Sequence, residues 1–259
     1  IMSSDWSSDV CSSDLVAGHT FLPTVLHPGA SILDLGANKG AFAKSLRHNY
    51  DCNVIAVEAS PHLASALRRQ ASSDITVMHY AVSDDNGLVS FYLHPNDEAS
   101  SMYGGAHGAR QTVMVQSITL EMLLDELHLD HVELLKMDIE GAEVPVLKAT
   151  PDHVLRRFDQ ITVEFHNLSG IYGVEEVHRV VQRMKHAGFI GLRFDGLWSG
   201  SPHPDRDDHL NWLFLRRGAP GMHFLRVFYV RFPIRWMRWL LQWHRRRQWR
   251  RRVNVATRS

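Results

Sequence analysis

Short apolar runs alternate with longer amphipathic stretches through most of the chain. Ser31-Ile32-Leu33-Asp34-Leu35 reads as a buried strand, broken by Gly36-Ala37-Asn38-Lys39-Gly40. Helical spacing over 41–48 puts Phe42, Ala43 and Leu46 on neighbouring faces. A second strand over 53–57 ends on Glu58, and Pro61 opens a helix over 62–70. A third strand is expected over 75–80. The turn Asp84-Asp85-Asn86-Gly87 then leads into alternating residues over 88–93. Residues 94–112 are polar and glycine-rich and read as a mobile loop. Beyond them the pattern predicts a helix over 120–127, a strand over 132–137 ending on Asp138, and a helix that includes 145–148. Strand 160–165, an amphipathic helix over 174–186, and strands over 189–194 and 212–215 complete the series.

Strands that alternate with helices imply an α/β fold with a mainly parallel sheet and helices on both faces. Ligands of such sheets bind at the carboxyl ends of the strands. That rule directs attention to Asp34–Gly40, Glu58, Asp138 and the segment Glu164-Phe165-His166.

The formal net charge of zero hides a segregation. Residues 218–259 carry 11 Arg and no acidic residue, which leaves 17 basic and 28 acidic side chains in residues 1–217. An acidic body argues against nucleic acid gripped by the main domain, because phosphate contacts need Lys and Arg. Two cysteines, Cys11 and Cys52, are too few for a disulfide framework and fit a reducing compartment, the cytoplasm. No signal-peptide pattern and no long apolar span occurs in the sequence.

The first 15 residues stand apart. Ser-Ser-Asp recurs three times, and Asp9-Val10-Cys11-Ser12-Ser13-Asp14-Leu15 resembles the translation of a sequencing adapter. A disordered polar leader is the alternative. With 1–15 set aside, the expected organisation is a main domain over 16–217 and a basic tail over 218–259. On the adapter reading the native start of the gene is missing.

Asp34-Leu35-Gly36-Ala37-Asn38-Lys39-Gly40 joins a strand to a helix through a turn where glycine lets backbone approach a ligand closely. The helix N-terminus offers N–H groups to a carboxylate. Glu58, 18 residues after Gly40, stands where a carboxylate can accept hydrogen bonds from a ribose diol. A nicotinamide site has the same topology, but its fingerprint is Gly-x-Gly-x-x-Gly and its pyrophosphate is repelled by Asp34. The cationic sulfonium of S-adenosylmethionine tolerates such acidic surroundings. A plain turn with solvated Asp34 and Glu58 is the bland alternative.

A second constellation, Lys136-Met137-Asp138-Ile139-Glu140-Gly141-Ala142-Glu143, sets three carboxylates at a strand end. Such a cluster costs stability unless it binds a cation, shares protons or meets bases. Glu164 and His166 alternate on one face of the next strand and converge on the same cleft. With these stretches, and with Pro28 to Gly40, Val57-Glu58-Ala59 and Ala81-Val82-Ser83, the chain resembles the FkbM family of class I S-adenosylmethionine-dependent methyltransferases. The resemblance implies a Rossmann-like sheet of seven strands with the last antiparallel. It also implies S-adenosyl-L-methionine as cofactor and O-methylation of a sugar, glycan or secondary-metabolite hydroxyl. Asp34, Gly36, Asn38, Gly40, Glu58, Ala81, Val82 and Asp138 are then the expected cofactor contacts. Lys39 departs from the small apolar residue expected in the loop.

Methyl transfer is a direct displacement, so alignment supplies most of the acceleration. An alcohol also needs a base as its proton becomes acidic. His166 is the first candidate and Asp138 the second, with Glu164 or Glu140 orienting the histidine or binding sugar hydroxyls. A divalent metal on Asp138, Glu164 and His166 is an alternative, although no tight ligand spacing supports it. His203, beside Pro204 and Asp205, is expected at the surface.

Residues 223–252 mix Arg with Phe, Trp, Leu and Met at helical spacing. A basic amphipathic helix of this kind is expected at an anionic membrane surface, here the inner face, without spanning it. A subunit contact, nucleic acid, or a frame error in the gene are competing explanations. A non-catalytic cofactor-binding or membrane-docking protein and a nicotinamide oxidoreductase remain the alternatives to an enzyme of methyl transfer. The carboxylate cluster weighs against the first and the loop pattern against the second.

Overall fold

The computed structural model of the chain describes residues 14–71, 74–94, 100–103, 111–166, 172–193 and 209–219. It divides into two units, Ile1–Arg217 and Gly218–Ser259, and the description below concerns the first. The adapter-like residues 1–13, much of the expected loop, His203 and the basic stretch 223–252 lie outside the described residues.

In chain order the unit opens with a hairpin of β1 (Asp14–Val16) and β2 (His19–Phe21), followed by β3 (Ser31–Leu35), α1 (Ala41–Tyr50), β4 (Asn53–Val57), α2 (Pro61–Gln70) and β5 (Ile75–Met78). Next come β6 (Ala81–Val82), β7 (Gly87–Leu93), β8 (Gln111–Ile118) and α3 (Leu120–Glu126). The second half contains β9 (Val132–Met137), α4 (Glu143–Ala149), α5 (Asp152–Leu155), β10 (Phe158–His166), α6 (Val174–His186), β11 (Phe189–Arg193) and β12 (His209–Arg216).

Seven strands form one sheet in the order β11-β12-β10-β9-β3-β4-β5. The pairs from β10 to β5 are parallel, and β12 runs antiparallel to both β10 and β11. The α/β expectation, with its mainly parallel sheet and antiparallel last strand, is met.

Alternation of side chains divides the core between the two faces. Leu33, Leu35, Leu135 and Met137 join one cluster with Leu123 of α3, Leu147 of α4 and Val180 of α6. Ile32, Leu134, Val54 and Ala56 join the other with Phe42 and Leu46 of α1 and Leu67 of α2. Cys52 lies in this second cluster, where burial pushes its thiol up to about 11, so it is packing rather than chemistry.

Two features were not expected. A three-stranded sheet, β6-β8-β7, stands beside the main one, and part of the segment after the glycine-rich loop forms its strand β8. The β1–β2 hairpin uses Asp14 and Leu15, which the sequence groups with the leader. Ala17 and Gly18 turn it with positive φ of 47° and 86°. Its exit is pinned to β10, where the Gln160 amide accepts from Leu22 N–H (2.9 Å) and donates to Leu22 C=O (3.1 Å). Phe21 is fully buried against the edges of Phe42 and Tyr50. No helix among the described residues is long and apolar enough to cross a membrane.

A candidate cofactor cleft with a carboxylate and histidine wall

The tips of β3, β4 and β9 meet at one open cleft of about 590 Å³. Gly36, Asn38, Glu58, Ala81, Val82, Asp138 and Glu140 line it, seven of the residues singled out in the sequence. Asp34 and Gly40 do not. Asp34 is fully buried beneath the loop, ion-paired to Lys136 at 3.2 Å across the register that sets the two side by side. Gly40 has φ +77°, and a Cβ there would overlap Leu67 of α2. Gly36 has φ +73°, and its Cβ would overlap the backbone carbonyl of Asp138. Both glycines therefore serve a left-handed turn and close protein packing, rather than ligand approach alone. Lys39 is exposed outside the cleft lining.

Glu58 holds the loop from the β4 tip. One of its oxygens accepts from Asn38 N–H (2.7 Å) and the other from Ser60 N–H (2.8 Å). Burial raises its pKa, against the opposing pull of those N–H groups. Each oxygen keeps a second lone pair for a diol. Asn38 Oδ1 is buried without a hydrogen-bond partner among the described residues.

The opposite wall is built on Asp138. Its Oδ2 faces His19 Nε2 and Lys136 Nζ, both at 3.3 Å, with Glu164 Oε2 at 3.9 Å from the same His19 nitrogen. Its Oδ1 faces His166 Nε2 at 3.6 Å, and Glu140 Oε2 stands 3.6 Å from that nitrogen. Burial would raise the Asp138 pKa, but Lys136 and then His19 outweigh it and hold the carboxyl well below the usual range. Burial likewise opposes the Lys136 charge, yet Asp34 and Asp138 push it up to about 12.

The loop beyond Asp138 wraps around Glu143, at the start of α4. Glu143 accepts from Ile139 N–H and Gly141 N–H, both at 3.0 Å, and from His166 Nδ1 at 2.9 Å. To make that wrap Glu140 adopts φ +52°, a rare conformation for a non-glycine residue, and Ser101 Oγ–H donates to its carbonyl at 2.5 Å. Glu140 is thereby turned into the cleft. Burial and then the crowding of Asp138, Glu143 and Glu164, against His166, raise it to about 7. Burial lowers His166, but Glu143, Glu140 and Asp138 together lift it to about 10.

The structure thus brings Asp138, Glu140, Glu164 and His166 together, as the strand ends imply. It adds three residues with no assigned role in the sequence reading. His19 enters from a hairpin too short to pattern. Lys136 had a usable signal, a cation inside the apolar run Leu134-Leu135-Lys136-Met137. Glu143 was in view within the motif, but only the turned loop shows that it holds His166.

Residues 34–190 match the model of the methyltransferase FkbM domain, 61% of the chain. Methyltransferase sdnD of Sordaria araneosa is 26% identical over 175 residues, covering 54% of this chain and 68% of sdnD. The AMB antimetabolite synthetase AmbE of Pseudomonas aeruginosa is 24% identical over 221 residues, which are 68% of this chain but 10% of AmbE. Among solved structures, the fibrillarin pre-rRNA processing protein of Methanococcus jannaschii aligns at a TM-score of 0.47 and 13% identity, over 78% of this chain and 71% of that one. With the cleft and the acidic loop both falling inside the matched segment, the chain belongs to the FkbM methyltransferase family.

Proposed function

We infer that the protein transfers a methyl group from S-adenosylmethionine to a hydroxyl of a sugar, glycan or secondary metabolite. The observation that carries this reading is the shared wall: the cleft lined by Asn38 and Glu58 is closed on its other side by Asp138 and Glu140. The residues present fit the cofactor. Glu58 has lone pairs left for the ribose diol, and the orphaned Asn38 Oδ1 is an acceptor for a donor such as the cofactor's ammonium group.

When bound, the cofactor supplies an electrophilic methyl on a positively charged sulfur. A C–O bond forms as the S–C bond breaks, and the hydroxyl proton leaves. This chain's contribution is to align the acceptor oxygen, which supplies much of the acceleration. It also offers Glu140, raised to about 7 beside Asp138 and His166, as the group toward which that proton moves.

Calorimetry of the full chain with S-adenosylmethionine, and with NAD in comparison, tests the reading. Glu58→Gln should weaken S-adenosylmethionine binding about tenfold or more, the loss of a charge-assisted hydrogen bond. A folded sample that binds neither ligand, or that prefers NAD, sinks it.

A further inference from the structure

We propose that Ser101 positions the methyl-transfer base. It clamps the peptide between Glu140 and Gly141, and through that clamp the three-stranded sheet keeps the Glu140 carboxylate in the cofactor cleft. The role rests on the reading that Glu140 receives the acceptor's proton, whereas the clamp itself is geometry. Glu140 C=O and Gly141 N–H are the two poles of one planar peptide unit. Ser101 Oγ–H donates to the first at 2.5 Å, and Glu143 Oε2 accepts from the second at 3.0 Å. A peptide held at both poles cannot turn over without losing two hydrogen bonds.

Ser101 is in turn held by the small sheet. Its C=O accepts from Tyr92 N–H (2.8 Å) and its N–H donates to Tyr92 C=O (3.1 Å), so residue 101 extends the sheet beyond its edge strand β7. Ser100 Oγ accepts from His94 N–H at 2.9 Å, and Ser101 Oγ accepts from Tyr103 N–H at 3.1 Å. The Ser101 hydroxyl thus has a lone pair engaged by one neighbour and its proton aimed at Glu140. Ser100 and Ser101 are both buried. Met102 packs against the main core and also against the cluster of Ala81, Phe91 and Val115.

Packing alone does not account for the choice of residue at the turn. Glu140 takes φ +52°, where glycine is the residue without a steric cost. Glycine would complete the same turn but leave the cleft without this carboxylate. Glu140 lines the cleft together with Ser100 and Met102, so the strained turn delivers a charged group to open space. Backbone strain held in place by its surroundings clusters at functional sites. The three-stranded sheet, an addition to the seven-stranded one, thereby has a task in the reaction.

Nuclear magnetic resonance of the full chain, labelled in its glutamate carboxyls and its amides, reads the clamp with neither cofactor nor acceptor added. Glu140→Gln assigns the Glu140 signal. In wild type that carboxyl should titrate at about 7. In Ser101→Ala it swings toward water and should titrate below about 5.5. The charged groups that face it, Asp138, Glu143, Glu164 and His166, are the same in both proteins. Gly141 amide exchange should quicken at least about tenfold, while the fully buried Leu135 of β9 keeps its rate. Ser101→Thr, which retains the hydroxyl, should behave as wild type in both measurements. A Ser101→Ala protein whose Glu140 titration and Gly141 exchange match wild type overturns the proposal. An equal change at Leu135, which marks general loosening, overturns it too, as does a threonine variant that fails alongside alanine. S-adenosylmethionine calorimetry on the wild-type sample tests the methyl-transfer reading separately, because the clamp can hold in a protein that binds no cofactor.

Discussion

Replacing Lys136 by methionine keeps most of the side-chain volume and removes its charge, which isolates the electrostatic role of a buried pair. Lys136 Nζ lies 3.2 Å from Asp34 and also donates to the carbonyls of Leu35 (3.2 Å) and Gly36 (2.7 Å). At an effective dielectric of about 20, two unit charges at that distance attract by about 5 kcal/mol. Much of that is offset by taking both groups out of water. The variant, however, leaves Asp34 at 0% exposure with no compensating ion, and breaking such a pair costs about 3–5 kcal/mol. In a folded unit of roughly 200 residues, about 4 kcal/mol corresponds to a fall in Tm of about 8–16 °C. Urea unfolding of the wild type, Lys136→Met, Asp34→Asn and the double variant measures the coupling. The double variant should recover about 2–3 kcal/mol relative to the sum of the single losses. A Lys136→Met protein within about 1 kcal/mol of wild type would refute the reasoning, as would strict additivity of the two losses.

Three further outcomes are expected. Phe21→Ala removes a fully buried ring packed on Phe42 and Tyr50 and should cost about 3–5 kcal/mol by denaturant unfolding; a loss under about 1 kcal/mol would show that the hairpin is not part of the core. Gly36→Ala should lower both Tm and S-adenosylmethionine affinity, because its Cβ meets the Asp138 carbonyl and φ is +73°; unchanged values for both would contradict the packing. At the amino end of the sheet, His27 is raised above 6.5 first by its hydrogen bond to the Pro28 carbonyl, against burial, and then by Glu133. A raised histidine contributes stability below its unfolded pKa and loses it as pH rises through the folded value. Stability measured from pH 6 to 9 should fall more steeply for wild type than for His27→Ala, and parallel curves would count against the contact.

Much of the fold was legible because its strands are short, apolar and bounded by glycine, proline or a carboxylate. Strands 31–35, 53–57 and 132–137 and helix 174–186 appear with the expected limits. What escaped has physical causes. The β1–β2 hairpin has three-residue strands, too short to show a period of two, and it adjoins the adapter-like run. Strand β8 exposes Met114 and buries Val115 and Ser117, so its alternation is blurred by residue type. In the site, the strand-end rule located Asp138, Glu140, Glu164 and His166 together. It could not locate His19, which reaches the cluster across 119 residues of sequence. Nor could spacing reveal that Glu140 faces the cleft, because that depends on a left-handed φ paired with the Glu143 hydrogen bonds.

The absence of a side chain at Gly36 lets the β3 loop rest directly on the backbone of Asp138, while Asp138 N–H donates to Leu35 C=O at 3.2 Å. The β3 loop and the acidic loop that follows β9 are therefore a single mechanical part. A change of acceptor made by grafting residues 138–143 from a relative has to carry the matching 35–38 turn with it. Grafted alone, the acidic loop would shift the 35–38 turn by whatever distance it moved itself.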